Sequence, residues 1–133
     1  MTYTLDTNAV AAILRDDETF IERVADTLNC GDRVTINAMT YFETRRGLSL
    51  PTFRRKLETF RRFVVLFGIL PLDTEALDVS ATLYQDLRRQ GTLLEDADIL
   101  IAGIAIANNA TLVTRNLKHF TRVEGLKLET WEA

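Results

Sequence analysis

Cysteine and histidine are almost missing from this chain, with one of each in 133 residues. Cys30 by itself cannot close an internal disulfide, and Cys30 with His119 falls short of the three or four ligands of a zinc site. A reducing compartment, the cytoplasm, is the expected location. Proline and glycine are also few, 2 and 6, so no flexible linker divides the chain and residues 1–133 read as one domain. Nothing repeats, and no segment is of low complexity. The longest strongly apolar run, Ile99 to Ala107, is far shorter than the ~20 residues a membrane span needs. No basic flank precedes an apolar stretch at the N-terminus, so neither a membrane nor an export signal is expected. What remains is 47% hydrophobic and 26% charged, the make-up of a globular domain and not of a disordered or fibrous chain.

Neither sign of charge dominates, since 16 basic and 19 acidic residues leave a net of −3. Their distribution is uneven. Between Thr44 and Arg62 lie Arg45, Arg46, Arg54, Arg55, Lys56, Arg61 and Arg62 against Glu58 alone, a local charge of +6 in a chain whose remainder carries −9. A solvated helix face is the plain reading of such a segment; a contact for a phosphate backbone or an acidic partner is the functional one.

Strand-like apolar stretches fall at Thr2 to Leu5, Arg33 to Asn37, Ile69 to Leu72, Thr111 to Thr114 and Leu126 to Thr130. Helical segments separate them. Asn8 is placed to cap a helix to Leu14, and Asp16 or Asp17 one to about Asn29, with Cys30 and Gly31 as its stop. Thr40 to Arg46 reads as a helix ended by Gly47. After Pro51, Phe53, Leu57, Phe60, Val64 and Phe67 form one apolar stripe, a core-facing helix. Asp73 caps a helix to about Gln90, closed by Gly91, and an apolar helix starts near Ala97. Strands alternating with helices give a three-layer α/β/α sandwich around a mostly parallel sheet. Ligands of such sheets bind beyond the carboxyl ends of the strands.

That edge collects acids. Asp6 ends the first strand, Glu43 follows the second on a helix, Asp96 and Asp98 open the apolar helix, and Asn116 follows the strand at Thr111. Each has an ordinary alternative: Asp6 as a helix start, Glu43 as the partner of Arg46, Asn116 as a cap. Asp98 is harder to explain away, because the helix behind it is apolar on every side and predicts a largely buried carboxylate. Two residues apart on a helix means about 200° apart, so Asp96 and Asp98 cannot both face one site. Asp98 is assigned to the site and Asp96 to the cap. Three nearby carboxylates repel unless a cation offsets them, and oxygen ligands alone suit Mg²⁺ or Mn²⁺. The reaction such a centre performs is phosphodiester hydrolysis.

With these residues in place, Asp6-Thr7-Asn8, Glu43, Asp96-Ala97-Asp98-Ile99-Leu100-Ile101-Ala102-Gly103 and Leu112-Val113-Thr114-Arg115-Asn116-Leu117-Lys118-His119-Phe120, the chain resembles the PIN-domain family, in particular the VapC-type toxins of bacterial toxin–antitoxin pairs. The ending Val123 to Trp131 is similar to the family's usual finish, so the likeness runs the whole length. The resemblance implies a Mg²⁺- or Mn²⁺-dependent endoribonuclease acting on tRNA or other structured RNA, with Asp6, Glu43 and Asp98 as the acidic metal residues. It implies that Asn116 stands where many members carry a fourth Asp, and that Thr114 and Asn8 hold the ligands in place. It further implies a homodimer and a cognate antitoxin covering the active site, the two forming a hetero-oligomer. Arg45, Arg46, Arg54 and Arg55 then become contacts for RNA or antitoxin. Two rival readings are a haloacid-dehalogenase-type hydrolase, which would want an Asp where Asn8 stands, and a catalytically inactive PIN-like module that only binds RNA or protein.

Overall fold

A computed structural model describes residues 1–131. The order of elements is β1 (Thr2–Leu5), α1 (Thr7–Leu14), α2 (Glu18–Asn29), β2 (Arg33–Asn37), α3 (Ala38–Gly47), a 3₁₀ turn (Pro51–Phe53) and α4 (Arg54–Phe67). β3 (Ile69–Leu70), α5 (Thr74–Gln90), α6 (Asp96–Ala107), β4 (Thr111–Val113), α7 (Leu117–Phe120) and β5 (Lys127–Glu129) follow. The strands lie in the order β3-β2-β1-β4-β5. Every pairing is parallel, so the mostly parallel sheet expected from the alternation is wholly parallel among the described residues.

Burial on both faces explains the strand composition. Leu5, Val34, Ile36 and Leu112 are fully buried, and so are Thr4 and Thr35, whose β-branched side chains suit the pleat. On one face α1, α2 and α4 pack through Ala9, Val10, Phe20, Val24, Phe60 and Phe63. On the other, α5 and α6 contribute Leu83, Leu87, Ile99, Ile101, Ala102 and Ile104. The stripe of Phe53, Leu57, Phe60, Val64 and Phe67 is the inward face of the α4 region, as its spacing requires.

Capping chemistry sets most helix starts. Asp17 accepts from the Phe20 N–H, Asn37 from Thr40 at 2.9 Å and Asp73 from Ala76 at 2.9 Å, while Gly91 closes α5 in the left-handed region at φ 71°. Three expectations need correction. The cap of α1 is Asp6 and not Asn8, because the chain turns into helix directly after the strand. At α6 the cap position is Glu95, without a side-chain bond, and Asp96 is already the first helical residue. β3 stops at Leu70 and does not reach Leu72, since Pro71 has no N–H to continue a ladder.

The chain moves outward from β1 to β2 on one side and to β4 on the other. The sheet therefore has its topological switch point between β1 and β4, where a crevice opens at the strands' carboxyl ends.

Candidate active site

Asp6 stands at that switch point. Its N–H donates to the Val113 carbonyl at 3.1 Å, extending the sheet by one residue, and its carboxylate accepts from the Ala9 N–H at 2.8 Å. The helix-start reading of this residue is thus met, and its place at the switch point leaves the site reading open to it. Only 7% of Asp6 is exposed. Burial raises its pKa above the ordinary carboxylate value; hydrogen bonds from Ala9 and Thr114 and the charge of Arg115 oppose that rise, and the negative charge of Glu43 adds to it.

Glu43 lies on α3, whose start is fixed by the Asn37 cap at the end of β2. The Thr7 hydroxyl donates to Glu43 Oε1 at 3.1 Å, tying α3 to α1 across the crevice. The pairing with Arg46 expected as the plain alternative is not formed: Arg46 lies 5.2 Å over the Phe42 ring.

Asp98 comes from the opposite wall, in the first turn of α6. His119 of α7 faces it, with Nδ1 at 3.4 Å from Asp98 Oδ2. Its side chain is 23% exposed, so the carboxylate is half-buried and not largely buried; the enclosed part of α6 begins one residue later, at Ile99. Burial raises the Asp98 pKa, His119 pulls it back, and Glu95 and Glu43 push it up. Asp96 is exposed, and neither caps α6 nor enters the site.

Thr114 is buried at the end of β4, within hydrogen-bonding reach of the Asp6 carboxylate, while its oxygen accepts from the Asn116 N–H at 3.0 Å. Asn116 is exposed at the cap position of α7 and makes no side-chain cap; its carbonyl accepts from the His119 N–H at 3.0 Å. Asn8 is exposed on the first turn of α1. The structure therefore brings Thr114 against Asp6 and sets Glu43 near enough to act by its charge on both Asp6 and Asp98, while Asp96 and Asn8 are exposed.

Arg46, Arg54 and Arg55 are exposed and Arg45 is half-buried. Arg54 faces Glu58 one turn on at 3.7 Å. Between α1, α3 and the start of α4 runs a groove of about 210 Å³, lined by Ala11, Leu14, Leu48 and Phe53, with Glu43 at one wall and Lys56 at another.

Three participants went unnoticed in the sequence: Thr7, Arg115 and His119. Thr7 and Arg115 each adjoin a recognised residue, Asp6 and Thr114. His119 had the clearest available signal, as the only histidine, three residues past Asn116 on a helical segment.

The donor set consists of oxygens with negative charges that raise one another's cost, the environment a hard divalent cation relieves. Asn37 Nδ2, Thr40 Oγ1 and Thr44 Oγ1, on and beside the helix that carries Glu43, are buried without a hydrogen-bond partner, so the surroundings can also take up water. Among the described residues no three acidic, His or Cys side chains converge on a single ion position. Each acid is engaged separately, by Ala9, Thr7 or His119. Such a set fits Mg²⁺ or Mn²⁺ held through one or two carboxylates and water.

A wholly parallel α/β/α sandwich with acids from three segments at its switch point is the arrangement expected of a PIN domain, and the PIN-domain family model matches residues 3–126. The chain belongs to the PIN-domain family, in its VapC branch. Ribonuclease VapC2 of Rickettsia felis is 30% identical, over 99% of each chain. The tRNA(fMet)-specific endonuclease VapC of Salmonella typhimurium is 28% identical over 97% of each. Among solved structures, VapBC2 from Rickettsia felis bound to a promoter DNA fragment superposes with a TM-score of 0.90 at 26% identity, covering 99% of this chain and 100% of that one. Membership of this family sets aside the haloacid-dehalogenase reading.

Proposed function

We propose that this chain is the toxin of a type II toxin–antitoxin pair, a divalent-metal-dependent endoribonuclease with Asp6, Glu43 and Asp98 as its working acids. The observation that supports the proposal is the placing of the acids: Asp6 caps α1 at the sheet's switch point, Glu43 is tied by Thr7 to the start of that same helix, and the charge of Glu43 bears on both Asp6 and Asp98. Carboxylates gathered at a cost to one another serve a function that stability alone does not explain.

A bound Mg²⁺ or Mn²⁺ supplies an activated water and neutralises charge on the scissile phosphate. The chain's own residues prepare for it. Thr7 fixes the Glu43 carboxylate, Ala9 and Thr114 fix Asp6, and His119 holds the direction of Asp98. Asn116, through its N–H on Thr114, orders the turn that keeps Thr114 under Asp6.

A structured RNA such as a tRNA is the proposed substrate, supported by the activity for which the Salmonella relative is named. A cognate antitoxin is the proposed inhibitor, by likeness to VapBC complexes, and the apolar groove beside Glu43 suits the side chains of such a polypeptide. Arg54 and Arg55 on the adjoining α4 would meet its acidic residues. The chain would act as a single folded domain and a homodimer in the cytoplasm; no helix among the described residues is long and apolar enough to cross a membrane.

Cleavage of labelled tRNA with Mg²⁺, with Mn²⁺ and with EDTA tests this directly. Asp98→Asn is expected to fold normally and lose cleavage to background, while the exposed Asp96→Asn stays close to wild type. A soluble Asp98→Asn protein that cuts at full rate, or cleavage that persists in EDTA, rejects the assignment.

A further inference from the structure

A second groove opens on the other side of the acids, along α7, with a volume of about 600 Å³. Its lining is Arg115, Asn116, Leu117, Lys118, His119 and Arg122, three permanent cations and no acid, in a chain of net charge −3. The groove is joined to the site at two points. His119 lines it and stands 3.4 Å from the Asp98 carboxylate; Arg115 lines it and also borders the small cleft that contains Asp6 and Thr114. Lys118 is exposed, and Arg122 donates to the Thr92 carbonyl at 3.4 Å with its side chain still at the groove wall. Asp86 and Glu124 lie beyond Arg122, in the neighbouring cleft.

We propose that the phosphate backbone of the RNA runs along this α7 groove into the acidic site, held by Arg115, Lys118 and Arg122. The proposal deepens the ribonuclease reading and rests on it. It separates the two cationic regions of the molecule by the chemistry of what surrounds them. The groove near α4 is walled by Ala11, Leu14, Leu48 and Phe53, which anchor apolar side chains of a polypeptide. The α7 groove offers a single apolar residue, Leu117, and no Phe, Tyr or Trp; its one ring, the His119 imidazole, is engaged with Asp98, so the groove has neither a peptide's apolar anchors nor a row of stacking platforms. Cations without such platforms bind phosphates and are indifferent to base identity. Position along the strand is then set by backbone contacts, and the choice of cleavage site is made elsewhere.

The test is the salt dependence of binding, measured by fluorescence anisotropy with labelled oligouridylate in EDTA, where nothing is cut. Each phosphate neutralised on a single strand contributes about 0.7 to the log–log slope, so Lys118→Gln with Arg122→Gln is expected to flatten the slope by about 1.4. Lys118→Gln alone, which disturbs no bond to the protein, should account for about half, roughly 0.7. Arg54→Gln with Arg55→Gln should keep the wild-type slope. In Mg²⁺ the α7 variants should raise the KM for tRNA cleavage. The proposal is overturned if Lys118→Gln leaves the slope unchanged, if the α4 pair flattens it as much as the α7 pair, or if the α7 pair weakens only the complex with an acidic polypeptide. A wild-type chain that neither cuts nor binds RNA would instead sink the ribonuclease reading, whereas cutting with an unaltered α7 slope sinks this inference alone.

Discussion

One side chain, Asp6, ends a strand, caps a helix and supplies charge to the acidic site. Burial makes its ionised form unfavourable in the folded state, so its folded pKa lies above its unfolded one. The contribution this group makes to stability is therefore full below the unfolded value and is lost as pH rises through the folded value. At neutral pH the free chain carries that cost. Asparagine caps a helix about as well as aspartate and has no charge to bury. In chelator, Asp6→Asn is expected to melt above wild type at pH 7, with the difference shrinking as pH falls toward the ordinary carboxylate value of 3.8. Added Mg²⁺ should narrow the gap by stabilising wild type more than the variant. Thermal melts over a pH series decide the matter: a difference that does not change with pH would mean that charge burial is not its source. The cap that Asp6 forms does not exclude the ligand role expected from the sequence, because only one of its oxygens accepts from Ala9.

Among the elements, α5 and α6 approach each other closely at Gly103. A Cβ added at Gly103 would lie 1.9 Å from Ser80 Oγ and 3.0 Å from the Ala76 carbonyl, and Ser80 is itself held by its hydroxyl donating to that carbonyl at 2.7 Å. Gly103→Ala is expected to lower stability by about 1–3 kcal/mol, as overpacking does, read as a drop in the urea midpoint. Ser80→Ala in the same chain should recover part of the loss by removing the nearest atom. Full stability in the single variant would show that the two helices separate freely. The apolar composition of α6 announced a buried helix, but the need for glycine at position 103 rather than any other small residue comes from a partner more than twenty positions earlier in the chain. The early end of β3 was legible in Pro71. The start of α1 was not, since Asp6 and Asn8 are both good caps and only the turn out of the sheet selects between them.

For the molecule as a whole, Trp131 ties the segment after β5 to β1 and α2. Trp131 is buried with its ring 5.3 Å from Tyr3 of β1 and 5.6 Å from Phe20 of α2, Arg23 lies 5.5 Å over it, and its indole N–H donates to Glu129 at 3.0 Å. Trp131→Ala should cost about 3–5 kcal/mol in a urea melt, the range for a large aromatic lost from a core. A loss below ~1 kcal/mol would mean that Trp131 is not part of the folding unit. Periodicity, caps and composition were enough to establish an α/β/α sandwich, because hydrophobic spacing and backbone hydrogen bonding are local and written residue by residue. The partners of Glu43 and Asp98, Thr7 and His119, along with the separation of an apolar groove from a cationic one, were decided only when parallel crossovers brought distant segments together. Charge and contact depend on distance in space, and the order of residues along the chain does not specify that distance.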